Sequence, residues 1–423
     1  MHQNSLRESI KIISKRIKIH RLIVYARYYV FRYFISFTYS AQNVNKKKVS
    51  ILKVSNHDIS FFGYYNISPE NQQGEVLYLS TTNEKPRGSK TNVANIFLLQ
   101  KKGGRSIKIG YTRAWNWQQG CMLQWLPSHY DKIIFNDFDL EERKYVSRII
   151  GKDGRNISKY DKPICVIDKN GKYGYTLNFE RLALLRPDYG YFNNNNIKLP
   201  DNKDDGIWKI DLENGNSKLI ITLNMLKNLN YVYTMDRATH KVNHIDVNSS
   251  GNRIIFLHRW ISVYGRFMRL IAADNDGTNL YVLNGDKMTS HCCWKNDKEI
   301  ISFCYVEGMG NNYYVFNDNS QTVTLLSNKI KSVDGHPSIS LNKRWLLTDT
   351  YPDMSRMSSI LLYDLHKDEI IKIGRFYQPL RYRKEMRIDL HPKWSLNGES
   401  IYFESGHKLR RSLYKLTLNL KFF

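Results

Sequence analysis

Four histidines stand at matching points of four similar phrases. His244 lies in KVNHIDVNSSGNRIIFLHRW, His291 opens HCCWKNDKEIISF, His336 opens HPSISLNKRWLLTD and His391 opens HPKWSLNGESIYF. In the last three the histidine precedes Asp297, Asn342 or Asn397 by six residues, and the sixth residue after His244 is Ser250, just ahead of Gly251. With 12 histidines among 423 residues, four at one phase are hard to attribute to scatter. Asp389 stands two residues before His391 and shares its side of a strand, because side chains alternate with a period of two. Several imidazoles with one carboxylate form a donor set suited to Mn, Fe, Co, Ni or Zn, and would leave coordination positions open for a substrate. The expected ligands are His291, His336, Asp389 and His391. A lone histidine is more simply read as packed between strands; the common phase sets these apart.

The phase carries meaning only if the elements around it repeat, and they do. One half of each unit is a turn followed by an apolar strand, as in Asp131-Lys-Ile-Ile-Phe, Gly251-Asn-Arg-Ile-Ile-Phe and Asn397-Gly-Glu-Ser-Ile-Tyr-Phe. The other half is a strand running into a turn, as in Trp208-Lys-Ile-Asp-Leu before Glu213-Asn-Gly. Units of about 40–60 residues with four short strands each fall in the range of propeller blades. The pattern predicts an all-β protein, a β-propeller of seven four-stranded blades near 51–110, 115–162, 163–228, 242–286, 288–328, 333–375 and 387–420. The innermost strand of every blade lines the central channel, so residues at one phase converge there. Gln124 has a similar phase in the second blade and is a candidate substrate contact.

Ahead of the ring, residues 1–48 hold eleven Lys and Arg against one acid, Glu8, within a chain of net charge +25. Ile10, Ile13 and Ile17, then Leu22, Tyr25 and Tyr29, recur at helical spacing. A basic amphipathic helix is expected, followed by a linker at Lys46–Lys48, giving an extension over 1–48 and a propeller over 49–423. Residues 1–45 suit an anionic membrane surface, the protein's own ring or a partner. Cys121, Cys165, Cys292, Cys293 and Cys304 show no framework spacing, which fits a reducing compartment. With no signal peptide pattern, a cytoplasmic protein is expected, peripheral on the inner membrane face if the helix binds lipid. There is no phosphate-binding glycine loop, no Gly-x-Ser-x-Gly elbow and no Cys-x-x-Cys pair. Nothing resembles a nucleic-acid reading module, so no nucleic acid partner is expected.

Further candidates are arginines, whose planar fork suits a carboxylate. Arg237 and Arg259 flank the His244 phrase, with His240 and His258 beside them, and Arg181 and Arg186 lie in NFERLALLRPDYGY. Arg181 and Arg237 are assigned to the catalytic group, and His258 and Arg259 to substrate binding. Trp117, in the Trp- and amide-rich AWNWQQGCMLQWLP, could stack on a sugar ring or pack in a blade core.

From about residue 240 onward the chain resembles the oligogalacturonate lyase group of TolB-like seven-bladed propellers. The resemblance rests on His244 with Phe256-Leu-His258, Asp274-Asn-Asp-Gly277-Thr-Asn, SHCCW around His291, GHPSIS around His336 and IDLHPKWSLNGESIYFES around His391. It implies a divalent transition metal, Mn preferred, held by His291 and His391. His244 would be the base that removes the C5 proton of a uronate, with an arginine on the carboxylate. The family's His-x-His pair is Asp389-Leu-His391 here, and Met386 stands where the family has a metal-binding glutamine. The expected function is a polysaccharide lyase-like, metal-dependent propeller acting on acidic oligosaccharide or polysaccharide by β-elimination. The alternative is a non-catalytic propeller that binds a glycan or protein partner in polysaccharide biosynthesis.

Overall fold

The structure, a computed structural model, describes residues 22–23, 25–26, 28–30, 42–44 and 49–419, apart from 83, 86–91, 103, 128, 195, 286 and 331–333. Its seven antiparallel sheets are the seven blades of a β-propeller. Four blades hold four strands consecutive in sequence. Blade two runs from Gln124–Leu126 to Asn156–Tyr160, blade three from Val166–Ile167 to Ser217–Thr222, blade four from Thr239–Val247 to Tyr281–Asn284, and blade five from Thr289–Trp294 to Val323–Leu325. Blade one has three regular strands, Val76–Ser80, Ala94–Leu99 and Ser106–Thr112, with its inner edge reduced to a bridge between Phe61 and Leu79.

Alternating β-branched and aromatic residues make each blade apolar on both faces. Those faces bury against the neighbours: one core cluster joins blades four and five, through Ile255, Leu270, Trp294 and Ile300. Another joins blades six and seven, through Leu347, Leu362, Ile401 and Leu416.

The seam is closed by a strand from the N-terminal side of the ring. Val49–Lys53 pairs with Ser412–Leu418 as the outer strand of blade seven, not as part of blade one, where residues from 51 on were expected. A ring has one seam, and pairing the two chain ends across it leaves no free edge there. Gln42–Val44, within the expected extension, adds a fifth strand to blade six alongside Glu369–Tyr377. The described residues between 22 and 30 are helical, with Leu22, Tyr29 and Val30 exposed. Arg383 donates to the Tyr25 hydroxyl at 3.2 Å. Ile10, Ile13, Ile17 and the linker Lys46–Lys48 lie outside the described residues. Among the described residues no helix is long and apolar enough to cross a membrane. All five cysteines are buried and free.

Two departures from the bare repeat shape the channel. Blade three carries an insertion between its second and third strands, with a helix at Phe179–Leu185 and a 3-10 turn at Pro187–Tyr189. Asn178 caps that helix, its side chain accepting from the Arg181 backbone N–H at 3.0 Å. In blade one, the segment after Phe61 leaves the sheet and carries Tyr64 and Tyr65 into the channel, where both are buried.

Candidate metal centre

Each channel histidine sits where its inner strand begins or kinks. His244 and His391 have φ of 55° and 43°, and the ladder shifts register between Asn243 and Asp246 and between Thr289 and Cys292. Such bulges break the regular alternation and re-aim a side chain. In blades six and seven the inner strand starts two residues after the histidine, at Ser338 and Lys393. The four rings form an arc, with centroids 5.2 Å apart for His244 and His291, 4.2 Å for His291 and His336, and 4.3 Å for His336 and His391.

At one end of the arc His336, Asp389 and His391 each offer a ligand atom within 4.8 Å of the other two. His336 Nδ1 donates to Asp349 Oδ1 at 2.8 Å. Asp349 also accepts from the backbone N–H of His336 at 2.8 Å and of His391 at 3.2 Å. A carboxylate on one imidazole nitrogen fixes the tautomer and presents the other as a ligand. Asp389 Oδ2 accepts from Arg387 Nε at 2.8 Å. This leaves His336 Nε2, His391 Nε2 and Asp389 Oδ1 buried with no hydrogen-bond partner. A buried polar atom left so costs roughly 1–3 kcal/mol. A divalent transition ion held among the three residues would satisfy both imidazole nitrogens, and two imidazoles with one carboxylate suit its chemistry. The residues therefore fit a metal.

The electrostatics differ along the arc. Burial works against a charge on His336, but Asp349, Asp389 and Asp334 together raise its pKa above the usual 6.5. Burial, then His336, lowers His291 to about 4. His291 stands outside the three-residue group, with Ser290 Oγ 3.0 Å from its Nδ1. His244 lies at the far end, stacked on Tyr64 with centroids 5.3 Å apart and planes 4° apart, and hydrogen-bonded to its hydroxyl. Burial, then His291, Arg259 and Arg186, hold His244 well below its usual pKa, so its imidazole is neutral at pH 7.

Arg259 and Arg186 lie beside His244, and Lys241 lies beside Arg259. Arg259 is pushed down to about 10 by burial and by Arg186, and Lys241 to about 7 by burial and by Arg259. Lys241 Nζ donates to the Leu185 carbonyl at 2.7 Å. The Nε atoms of Arg259 and Arg186 are buried without a partner. Among the described residues none of the three is ion-paired. Guanidinium N–H groups left free in this way suit an anion. The two halves of the site are tied by Arg387, whose Nη1 reaches Asp188 of the blade-three insertion at 2.5 Å while its Nε holds Asp389.

Several residues singled out in the sequence sit elsewhere. Arg181 is consumed by Asp205 at 2.6 Å and by the carbonyls of Pro200 and His240, so it braces the insertion. Arg237 is exposed on the turn before blade four, at φ 49°. His258 is on a second strand, opposite Val242, and faces His240 (2.9 Å) and Arg269 (3.1 Å) instead of the channel. Gln124 donates to the carbonyls of Met122 and Cys165 and lines the opposite mouth. Trp117 is buried against Phe61, with its indole N–H on the Lys85 carbonyl at 3.0 Å, and lines a shallow cleft beside Asp188. Met386 packs against the main core. The sequence reading had no signal for Tyr64, Tyr189, Asp349 or Arg387, since only the fold brings them to the histidines. Asn243, next to His244, keeps both amide atoms buried and unpartnered.

The described chain is similar to solved propellers at low identity. An oligogalacturonate lyase in complex with manganese matches with a TM-score of 0.63 and 13% identity over 90% of this chain and 96% of that one. An oligogalacturonate lyase from Vibrio parahaemolyticus gives 0.60 and 11%, covering 89% and 95%. The propeller domain of the trilobed protease from Pyrococcus furiosus gives 0.48 and 11%, covering 84% and 95%. No protein-family model and no curated protein matches the sequence.

Proposed function

We propose that this propeller is a metal-dependent lyase that cleaves a uronate-containing oligosaccharide or polysaccharide by β-elimination. The observation that carries the reading is the convergence of His336, Asp389 and His391, with both imidazole Nε2 atoms unpartnered, at one end of an arc whose other end holds two arginines with unpartnered Nε atoms. A cation cradle and an anion cradle at the two ends of one arc suit an acidic oligosaccharide that spans them. The likeness to a manganese-bound oligogalacturonate lyase supports the same class.

A bound transition ion would supply a Lewis acid for an acidic group of that oligosaccharide. Arg259 and Arg186 hold the carboxylate of the reacting uronate and stabilise the charge that grows on it from a buried, preorganised position. His244, neutral and fixed in orientation by Tyr64, takes the C5 proton. As the C5–H bond breaks, its electrons form the C4–C5 double bond, and the C4–oxygen bond breaks with its electron pair going to the oxygen of the leaving sugar, which takes up a proton from solvent. Tyr189 meets the His244 ring edge-on, with centroids 5.3 Å apart, and shields it from water.

The reading is tested by incubating manganese-loaded protein with acidic oligosaccharides and following the ultraviolet absorbance of a 4,5-unsaturated uronate. Appearance of that product in wild type, and its loss in His244→Ala, supports it; no product from any uronate substrate overturns it. The burial of the three ligands, 1–4% exposed, favours a second reading, in which the ion ties blades six and seven together and the ring binds a glycan without cleaving it. Metal-dependent stability without product formation selects that reading.

A further inference from the structure

Tyr64 and Tyr65 do not fill the channel to its far end. Their segment is pinned across it. The backbone N–H groups of Phe62 and Gly63 donate to Glu404 Oε1 at 3.1 and 3.0 Å, and Lys393 Nζ donates to the Gly63 carbonyl at 2.7 Å. The Tyr65 hydroxyl donates to the Cys292 carbonyl at 2.8 Å. On the side away from the histidines, where the inner strands run into their first turns, the channel opens into a cavity of about 520 Å³. That volume falls within the roughly 300–1,000 Å³ of small-molecule sites.

The lining of this cavity is incompletely satisfied. Asn66, Glu70, Ser338 and Trp394 all border it, and Asn66 Oδ1, Glu70 Oε2, Ser338 Oγ and Trp394 Nε1 are buried with no hydrogen-bond partner. The indole N–H can only donate, the two carbonyl-type oxygens can only accept, and the hydroxyl does both. The charged groups on the wall cancel: Glu70 and Asp246 against Lys169 and Lys393. Glu70 Oε1 already accepts from Lys415 at 3.2 Å, and Lys393 is spent on Gly63. A charged ligand gains nothing from such a wall. A ligand with several hydroxyls, each both donor and acceptor, matches this mixed wall, and small side-chain rotations would turn the unpartnered atoms toward it, with Trp125 and Trp394 bordering the same space.

We propose that this mouth is a second ligand site, for a neutral polyhydroxylated molecule such as a single pyranose or the neutral end of an oligosaccharide. It is independent of the metal-centre reading, because Tyr64 and Tyr65 separate the two ends of the channel. The test is calorimetric titration of the full chain with neutral methyl pyranosides of the gluco, galacto and manno series. Wild type is compared with Ser338→Ala and with Trp394→Phe, which keeps an aromatic ring and deletes the N–H. At least one glycoside should bind, equally in EDTA and in manganese, with affinity reduced about tenfold in each variant that keeps the wild-type melting temperature. Ser338→Ala removes a single atom from the wall, so it preserves the test if Trp394→Phe fails to fold. The proposal is overturned if no glycoside binds, which would leave ordered water only. It is equally overturned if binding survives the substitutions or disappears in EDTA.

Discussion

Blades four to seven and blades one to three use the same inner-strand position in opposite ways. In the later blades it holds His244, His291, His336 and His391. In blade two the residue two before the first pairing is Met122, also at positive φ (52°), and in blade three it is Ile164. Blade one sends Tyr64 and Tyr65 across the channel instead. The early half nevertheless contributes to the site, through the blade-three insertion with Arg186, Asp188 and Tyr189. Blades four to seven supply the imidazoles by repetition of phase, with Lys241 and Arg259 on blade four; the early half supplies cover, orientation and Arg186 by departing from the repeat.

That division can be broken at several points. The largest effect is expected for His244→Ala, which should lower the rate of uronate elimination by about 10²–10⁴-fold while metal content stays unchanged. His258→Gln, off the channel on the same blade, should leave the rate near wild type in the same assay. Asp349→Asn keeps every ligand but weakens the carboxylate behind His336, so metal affinity measured by competition with a chelator should fall by about 10–100-fold. Arg387→Ala cuts the tie between the halves at Asp188 and Asp389. It should raise KM by about tenfold or more, on the order of a single buried charged hydrogen bond, with the fold retained by circular dichroism.

The smallest effect concerns stability and lies at the opposite mouth. Burial raises Asp246 to about 6, against the opposing effects of Lys169, the backbone N–H groups of Val247 and Trp294, and the Asn66 amide. A carboxyl whose folded pKa exceeds its unfolded value stabilises the fold below the unfolded value, and that contribution is lost as pH rises through about 6. Asp246→Asn should therefore gain on the order of 1 kcal/mol relative to wild type at pH 7.5 and nothing at pH 3.5, read from urea unfolding at both values.

The ring was legible because its turn phrases recur: Gly251-Asn-Arg-Ile-Ile-Phe and Asn397-Gly-Glu-Ser-Ile-Tyr-Phe both mark a blade's first turn and second strand. The histidine arc was legible for the same reason, since phase in a repeat becomes position in a ring. Asp349 was not, because its carboxylate reaches His336 only when blade six folds and the His391 backbone only when blade seven packs beside it. Arg181 and Arg259 look alike in sequence, yet one is spent on Asp205 and the other is left with a free Nε; burial and partner decide that, and neither is local. Residues 51–53 were read into the first blade because the pairing of Val49–Lys53 with Ser412–Leu418 spans nearly the whole chain.

The central claim is that His336, Asp389 and His391 hold a divalent transition ion, and metal analysis of the purified full chain after dialysis tests it directly. Wild type should retain close to one ion per chain, with manganese raising its melting temperature, and His336→Ala/His391→Ala should retain none and show no such rise. A wild-type chain that binds no transition ion, or a double variant that binds as much as wild type, would contradict the account.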